Sequence, residues 1–310
     1  MLKLAAIVGP TAAGKTGTAI KTAKIMGAEI ISCDSMQVYR GMDIGTAKAS
    51  PAQQAEVPHH LLDVAEVDSE YNVALYQQTV SQLIKRLNQQ GKLPLLVGGT
   101  GLYYQAVVDN YQLFPMESSR EVREKYRRQI ISEGIDVVYR QLLSVDPDYA
   151  QKISPQDEKR IIRALEVYEI TGRPFSEFQI RRENSYHFAA AGIYVERKLL
   201  YQRIEQRVDE MFQSGFLEEV QQLLKAGYTL EHKPMQALGY KQVILYLQGL
   251  LSWDQMISDI KQETRRYAKR QYTWFNRDQK IVWFDAGRFE DESRLAESIS
   301  AYFEGQLFSV

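Results

Sequence analysis

The feature that most constrains this chain is the segment Gly9-Pro10-Thr11-Ala12-Ala13-Gly14-Lys15-Thr16, which has the pattern G-x-x-x-x-G-K-T. The apolar run before it, Leu4–Val8, is typical of a buried strand, and the residues from Gly14 to Met26 are typical of a helix. In that context the glycines let backbone N–H groups surround phosphate oxygens at a helix N-terminus, which favours anions. Lys15 adds a cation, and the Thr16 hydroxyl can hold Mg²⁺. All eight residues are therefore predicted to bind a di- or triphosphate.

Strands and helices alternate through the first hundred residues. Ala28–Cys33 and Leu93–Val97 predict two more strands, and apolar residues at helical spacing from Glu70 to Gln90 predict a helix between them. Such alternation indicates an α/β fold, here a doubly wound parallel sheet like that of P-loop NTPases. Two later segments, 189–195 and 280–284, are predicted to complete the sheet.

The region from residue 114 to about 180 lacks a convincing strand pattern. It predicts helices over 119–133, 136–144 and 157–171, with a stop signal at Gly172-Arg173-Pro174. We therefore expect an all-helical insertion domain over 114–185, set into a catalytic core made of 1–113 and 186–310. The core is predicted to carry further helices over 199–214, 217–226, 234–248 and 252–276.

Composition excludes several classes of protein. A hydrophobic content of 45% with 25% charged residues is enough to build a core, so disorder is excluded. The single cysteine, Cys33, rules out a disulfide framework and a zinc ribbon. No apolar run approaches the ~18 residues of a membrane span, so we expect a soluble, cytoplasmic chain that does not bind membranes. The net charge of −1 hides a basic stretch, Lys261–Lys280, which has seven basic and two acidic residues and predicts one charged face.

Two polar loops are predicted to lie at the same edge of the sheet as the phosphate loop. Asp34 follows the second strand, where it could hold Mg²⁺, accept a proton from an acceptor substrate, or only cap a turn. The third strand ends in Gly98-Gly99-Thr100-Gly101 and not in the aspartate that many nucleotide hydrolases place there. This argues against an ATP-driven motor and leaves a small-molecule kinase or another transferase that acts on a diphosphate.

Seven blocks of sequence, spread in order along the chain, resemble one family. In them the chain resembles the tRNA dimethylallyltransferases, also called tRNA isopentenyltransferases. The resemblance covers most of residues 1–280, and the stretch from Asp34 to Lys48 is the most specific part. The blocks are Gly9–Thr16, Ser32–Lys48, Val57–Asp63, Leu96–Tyr103, Arg160–Glu166, Gln236–Lys241 and Ala268–Phe275.

The resemblance implies a reaction. Members of the family transfer a dimethylallyl group from dimethylallyl diphosphate to N6 of adenosine 37 in tRNA, next to the anticodon, and use Mg²⁺. The products are N6-dimethylallyladenosine and diphosphate. By this resemblance the phosphate loop holds the diphosphate of the allylic donor, Thr16 is the metal-binding residue, and the partner is the anticodon stem-loop of tRNA. We expect the chain to act as a monomer.

The resemblance also implies roles for individual residues. Asp34 is expected to take the amine proton, and Lys15 to neutralise the leaving diphosphate. Thr100 matches the family threonine of the catalytic channel, and the family cation is assigned to Arg207, with Arg203 as the alternative. The expected tRNA-binding set combines residues that read the flipped adenine, basic residues of the insertion, and later positions: Asp34, Ser35, Met36, Gln37 and Thr100; Arg123, Lys159, Arg160 and Arg163; Gln236, Gly239, Lys241, Lys269 and Arg270.

Three alternatives remain open from the sequence. An adenylate isopentenyltransferase shares the phosphate loop but acts on free AMP, ADP or ATP, whereas the basic helical insertion favours a macromolecular acceptor. A small-molecule kinase needs ATP and an arginine-bearing lid. A non-enzymatic RNA-binding protein does not need the intact phosphate loop. His59-His60 has no supporting cluster at ligand spacing, so a structural or substrate-lining role is favoured over a metal site.

Overall fold

The computed structural model describes residues 1–111, 119–178 and 185–308. The chain divides into two compact units, one made of Met1–Val108 with Asn184–Val310 and the other of Asp109–Glu183. The sequence places the division at 114 and 185 instead. The assignment of catalysis to one unit and of tRNA binding to the other stays a prediction.

The larger unit is built on a six-stranded sheet. Its strand order is β3-β2-β4-β1-β5-β6, and every neighbouring pair is parallel. This confirms the predicted α/β fold with a P-loop-like parallel sheet. The strands are β1 (Lys3–Val8), β2 (Ala28–Cys33), β3 (His59–His60), β4 (Leu93–Gly98), β5 (His187–Tyr194) and β6 (Ile281–Asp285).

Thirteen α-helices occur among the described residues. Four of them, α5 to α8, belong to the smaller unit, and the others belong to the larger one. They are α1 (Lys15–Met26), α2 (Pro51–Glu56), α3 (Val73–Gln89), α4 (Gly101–Val108), α5 (Arg120–Glu133), α6 (Ile135–Val145), α7 (Pro147–Ala150), α8 (Glu158–Thr171), α9 (Arg197–Gln213), α10 (Phe216–Lys225), α11 (Tyr240–Leu247), α12 (Trp253–Phe275) and α13 (Glu292–Leu307).

Helices cover both faces of the sheet. Successive residues of a strand point to opposite sides, so each strand contributes to two cores. In β1, Ala5 and Ile7 are buried in a core with residues of α1 and α13. Leu4, Ala6 and Val8 are buried in a second core with residues of α3 and α4. Both faces of β1 are thus apolar, which explains its continuous hydrophobic run and gives the doubly wound arrangement.

Strands β2 and β4 approach each other closely at the edge of the sheet where ligands are expected. A Cβ atom on Gly98 would lie 2.1 Å from the Cys33 carbonyl oxygen, so only glycine fits there. The next turn is tied to the same strand, because the Thr100 N–H donates to the Cys33 carbonyl at 3.1 Å. These contacts bring the residues after β4 next to Asp34.

The smaller unit has its own apolar core, formed by residues of α5, α6, α7 and α8. A charged cluster lies beside it. The Glu166 side chain is fully buried, and its two oxygens accept hydrogen bonds from Arg123 Nε and Nη2 at 2.9 Å and from Arg163 Nη1 at 2.7 Å. Arginine forks that satisfy both oxygens make a buried carboxylate tolerable.

Some sequence predictions of elements were wrong or incomplete. The helix predicted over 234–248 is interrupted: a 3₁₀ turn spans Lys233–Gln236, and α11 begins only at Tyr240. The interruption falls at Gly239, whose φ of +92° does not belong to a helix. Strand β3 and helices α2, α7 and α13 were not predicted. Within the described residues, no helix is long and apolar enough to cross a membrane.

Candidate active site

A cavity of about 560 Å³ opens in the larger unit at the carboxyl ends of β1, β2 and β4. Its size is that of pockets for small ligands. Residues 11–16 of the phosphate loop line it, whereas Gly9 and Pro10 are not among the lining residues. Asp34 and Arg207 line the same cavity. Three of the four residues expected to be catalytic, Lys15 included, therefore meet around one space.

Lys15 lies at the start of α1, and its Nζ donates a hydrogen bond to the Pro10 carbonyl at 2.6 Å. Burial and, to a smaller extent, the nearby positive charge of Arg207 lower the pKa of Lys15 to about 8, against the opposing effect of the Asp34 charge. A bound anion would therefore stabilise the charged form of this lysine. The site is thus prepared for a ligand that brings negative charge.

Arg207 projects from α9 into the cavity. Burial lowers its pKa, while the negative charges of Asp34 and Glu210 act in the opposite direction. Among the described residues it forms no ion pair, so its guanidinium is available to a ligand. Arg203 is not among the residues that line the cavity, so the geometry favours Arg207 as the cation of this site.

Asp34 and Thr100 are held close together by backbone contacts. Asp34 Oδ1 accepts a hydrogen bond from the Met36 N–H at 2.8 Å, an Asx-type turn that orients the carboxylate. The Ser35 N–H donates to Thr100 Oγ1 at 3.1 Å. Thr100 is not itself a lining residue, but it supports Ser35, which is one.

Six residues expected to bind tRNA line the cavity: Asp34 and Ser35, and in addition Met36, Gln37, Gly239 and Arg270. The Gln37 amide is already engaged inside the protein. Its Nε2 donates to the carbonyls of Thr46 and Ala47 at 3.2 and 3.3 Å, and its Oε1 accepts from Ser32 Oγ at 3.0 Å. These contacts make Gln37 part of the cavity wall, and its role in reading a base stays a prediction.

The remaining residues expected to bind tRNA lie outside the cavity. Gln236, Lys241 and Lys269 are exposed in the larger unit. In the smaller unit, Arg123 and Arg163 bind Glu166, and Arg160 pairs with Asp157 at 3.3 Å. Lys159 is exposed on α8. Their contacts with tRNA stay predictions.

Glu219 was missed by sequence reasoning, although it holds one wall of the cavity. Its carboxylate accepts hydrogen bonds from the N–H groups of Asp43, Ile44 and Gly45 at 3.0, 2.7 and 3.2 Å. It also accepts one from the Tyr240 hydroxyl at 2.6 Å. The loop packs tightly, since a Cβ on Gly45 would lie 2.6 Å from the Tyr240 ring. Because 174 residues separate Gly45 from Glu219, no local pattern reveals the contact.

Gln271 on α12 was also missed. It is buried, its Oε1 accepts from the Thr11 N–H at 2.9 Å, and its Nε2 donates to the Gly99 carbonyl at 2.9 Å. An amide is the group that can accept from one loop and donate to the other. Gln271 therefore ties the phosphate loop to the loop that carries Thr100.

Cys33 and the two adjacent histidines have structural positions. Cys33 is fully buried, and burial raises the pKa of its thiol to about 12, so it is no nucleophile at neutral pH. His60 Nε2 lies 2.7 Å from Glu29 Oε2. His59 lines the cavity, and its Nδ1 lies 2.8 Å from the Val57 carbonyl oxygen.

The donor set of the cavity fits a magnesium ion held together with a diphosphate. The Thr16 hydroxyl and the Asp34 carboxylate are hard oxygen donors, and both line the cavity. Mg²⁺ is commonly bound by one or two protein oxygens plus substrate phosphates and water. In the part of the chain that is described, no cluster of three His, Cys, Asp or Glu could hold a metal without such a ligand.

The sequence matches the family model described as IPP transferase over residues 37–278. The chain belongs to the IPP transferase family. Two relatives named tRNA dimethylallyltransferase agree with this. The one from Syntrophomonas wolfei subsp. wolfei is 55% identical over 307 residues and covers 99% of both chains. The one from Symbiobacterium thermophilum is 47% identical and covers 96% of this chain and 94% of its own.

Two solved structures share the fold of this chain. The full-length tRNA isopentenylpyrophosphate transferase from Bacillus halodurans is 38% identical, with a TM-score of 0.75, over 99% of this chain and 97% of its own. A eukaryotic dimethylallyltransferase acting on tRNA is 29% identical, with a TM-score of 0.84, over 98% of this chain and 79% of its own. This chain is thus an enzyme of the IPP transferase family.

Proposed function

We propose that this chain transfers a dimethylallyl group from dimethylallyl diphosphate to N6 of adenosine 37 in tRNA. The observation that carries the proposal is one cavity that is lined by the phosphate loop with Lys15, by Arg207 and by the carboxylate of Asp34. The names of the relatives support tRNA as the acceptor. We also propose that the chain acts as a monomer.

The leaving diphosphate determines the role of the cations. In the reaction the bond between C1 of the allyl group and the diphosphate oxygen breaks, and negative charge grows on that oxygen. Lys15, Arg207 and the N–H groups of the phosphate loop neutralise this charge. Because they are positioned before the reaction, they stabilise the transition state more than the substrate. The Thr16 hydroxyl would hold a Mg²⁺ ion here, which would supply further positive charge.

The acceptor amine needs a base and a fixed position. N6 of adenine is a weak nucleophile that forms a bond to C1 and must lose one proton. Asp34 is the carboxylate of the cavity, and its turn contact with the Met36 N–H leaves Oδ2 for the amine. We assign the proton to Asp34. A base stacked in the anticodon loop must be flipped out to reach this carboxylate.

The direct test is transfer of label from dimethylallyl diphosphate to bulk unmodified tRNA. We expect labelled tRNA whose nucleoside digest contains N6-dimethylallyladenosine, with release of one diphosphate per transfer. Replacing the donor with ATP should give no product. Turnover that required ATP and left dimethylallyl diphosphate intact would identify a kinase and overturn the proposal.

A matched pair of acceptors separates this proposal from an adenylate isopentenyltransferase. Free AMP and an anticodon stem-loop that contains adenosine 37 present the same amine, so only the surrounding nucleic acid differs. We expect transfer to the stem-loop and none to AMP. Efficient transfer to AMP would assign the enzyme to the other class.

A further inference from the structure

Gln271 on α12 is a buried amide at the point where two loops of the cavity meet. Its Oε1 accepts a hydrogen bond from the Thr11 N–H, and its Nε2 donates one to the Gly99 carbonyl, both at 2.9 Å. A backbone N–H only donates and a carbonyl only accepts, so these partners fix which end of the amide faces which loop. Thr11 lies in the loop after β1 and Gly99 in the loop after β4, and the two strands are neighbours. One side chain therefore spans the gap between the two loops.

The loop after β4 is held tightly on both sides of this contact. A Cβ on Gly99 would lie 2.2 Å from Gln271 Nε2, so the amide fits only against glycine. On its other side the loop is joined to β2, because the Thr100 N–H donates to the Cys33 carbonyl at 3.1 Å. Cys33 directly precedes Asp34. Hydrogen bonds thus connect the phosphate loop, through Gln271 and the loop after β4, to the end of β2 where the expected base lies.

The two halves of the proposed reaction lie on the two sides of Gln271. The donor diphosphate is expected at the phosphate loop, whereas the acceptor amine is expected at Asp34. The Thr11 N–H is used by Gln271 and not by a phosphate, so binding of the diphosphate relies on the later residues of the loop. Removal of the amide is therefore expected to change the relative position of the two loops more than the affinity for diphosphate.

We propose that Gln271 is a positioning residue for dimethylallyl transfer: its amide sets the separation of the phosphate loop from the loop after β4, and with it the distance from C1 of the donor to the acceptor amine. The inference rests on the proposed function. Its physical basis is that an amide donates and accepts at once, so its loss leaves a buried N–H and a buried carbonyl without partners. A displacement of about 1 Å can cost on the order of 10²-fold in rate.

The variant Gln271→Met tests the inference because it keeps the length of the side chain and removes both hydrogen bonds. We expect kcat for tRNA modification to fall about 10- to 100-fold, with the Kd for inorganic diphosphate, measured by calorimetry, close to that of wild type. The matched control is Gln77→Met. Gln77 is a buried glutamine on α3 whose Nε2 donates to the Ala106 carbonyl at 2.7 Å, and it is not among the residues that line the cavity. Its kcat per folded molecule should be unchanged.

The variant Gln271→Glu gives a readout that a purely structural role would not move. The ionised carboxylate can accept from the Thr11 N–H but cannot donate to the Gly99 carbonyl, whereas the protonated acid can do both. Burial raises the pKa of such a carboxyl group towards neutral pH. We expect its kcat relative to wild type to rise at least about fivefold between pH 8 and pH 6, and at pH 6 to exceed that of Gln271→Met.

The comparison with Gln271→Met isolates the hydrogen bond from the charge. Protonation of the new carboxylate also removes a negative charge beside the diphosphate site, but the methionine variant lacks that charge as well. The ratio to wild type at each pH corrects for the other charged groups and the histidine that line the cavity, which are Lys15, Asp34, His59, Arg207 and Arg270.

Three results would overturn the inference. The first is a wild-type kcat in Gln271→Met. The second is recovery of Gln271→Glu in acid only to the level of Gln271→Met, which would show relief of charge alone. The third is a loss of diphosphate affinity as large as the loss of kcat, which would assign Gln271 to binding of the donor.

The outcome also distinguishes this inference from the proposed function. Wild-type enzyme that modifies tRNA while Gln271→Met is equally active removes only the inference, whereas wild-type enzyme that transfers nothing from dimethylallyl diphosphate removes both. Thermal melting confirms that each rate comes from folded protein. If the variants at Gln271 do not fold, Gly99→Ala displaces the same amide from the opposite side, and a wild-type kcat in that variant would also overturn the inference.

Discussion

The cavity of the larger unit and the charged cluster of the smaller unit use arginine and lysine in opposite ways. In the cavity, Lys15 and Arg207 form no ion pair among the described residues, and each has a lowered pKa because of burial. In the smaller unit, Arg123 and Arg163 both bind the buried Glu166. The cavity cations thus cost stability until an anion arrives, whereas the cluster stabilises its own fold.

The difference shows how to separate binding residues from structural ones in this chain. A cation with a lowered pKa and no partner is kept for a ligand, since the fold gains nothing from its charge. A cation that satisfies a buried carboxylate is already engaged. The comparison predicts that substitutions in the cavity reduce activity without loss of stability, and that substitutions in the cluster do the reverse.

The largest expected effect is that of Lys15→Ala. Transfer should fall about 10³-fold or more, because the growing charge on the leaving diphosphate loses its lysine. The melting temperature should not fall, since burial disfavours the charge of Lys15 in the folded protein. The control is Lys21→Ala on the same helix, where Lys21 lies 3.7 Å from Glu292 at the surface. Equal activity of Lys15→Ala and Lys21→Ala would contradict the role of the phosphate loop.

Asp34→Asn should have the next largest effect. The amide keeps the shape and can still accept from the Met36 N–H, but it cannot take the amine proton. We expect kcat to fall about 10²–10⁴-fold, with the affinities for tRNA and donor nearly intact. The other role for Asp34 is to hold Mg²⁺. Titration of Mg²⁺ against kcat decides between the two roles, because full recovery of the rate in excess Mg²⁺ would remove Asp34 as the base.

The parts of the site that could be predicted from sequence are the local ones. The phosphate loop lies between a strand and a helix, so its geometry follows from eight consecutive residues. Gln271 and Glu219 could not be found this way, because each contacts a loop more than 150 residues away in sequence. Their types are common on helix surfaces, and only the packing of the helices against the sheet shows their partners.

The same limit applies to elements of the fold. The strands β1, β2, β4 and β5 were predicted because their apolar runs are continuous, as buried parallel strands require. Strand β3 was missed, because it consists of two histidines, and its pairing with β2 is set by the sheet. Helix α13 does carry apolar residues at helical spacing, including Leu295, Ile299 and Phe303. This spacing is typical of an amphipathic helix, so α13 is recognisable from its sequence alone.

A smaller effect is expected from pH. Lys15 in the free protein has a pKa of about 8 and therefore loses its charge as the pH rises through 8. The donor diphosphate is fully ionised in that range, since the last phosphate pKa is about 6. Donor affinity should therefore fall about tenfold between pH 7 and pH 9. Arg207 keeps its charge at these pH values and cannot cause the change.

Calorimetry in two buffers of different ionisation enthalpy checks this directly. At pH 8.5 we expect proton uptake on binding of the donor, because the diphosphate restores the charge of Lys15. At pH 6.5 Lys15 is already protonated, and its uptake should be absent. Equal binding enthalpies in the two buffers at pH 8.5 would mean that Lys15 stays charged in the free protein.

The smallest effect on activity is expected at Glu166. Burial opposes ionisation of Glu166, but the hydrogen bonds and charges of Arg123 and Arg163 outweigh it and hold its pKa below the usual value. Its contribution to stability is therefore present at neutral pH and is lost as the pH falls through the lowered pKa. Glu166→Gln weakens these charge-assisted bonds, so we expect a loss of about 1–3 kcal/mol in the free energy of unfolding. Denaturant unfolding measures this loss, and the gap to wild type should narrow in acid.

The activity of Glu166→Gln tests whether the arginines of this cluster also bind tRNA. The substitution leaves both arginines charged and frees them from a carboxylate, so tRNA affinity and kcat per folded molecule should stay within about threefold of wild type at moderate salt. If Arg123 and Arg163 contact phosphates, the affinity should become more salt-dependent, since the slope of log affinity against log salt changes by about −0.7 to −0.9 for each added contact. The control is Lys159→Glu on the exposed face of α8, because it removes a basic side chain and should reduce contacts with phosphate instead of adding them. It should flatten the slope without changing stability, and an unchanged slope in both variants would place the tRNA grip outside this cluster.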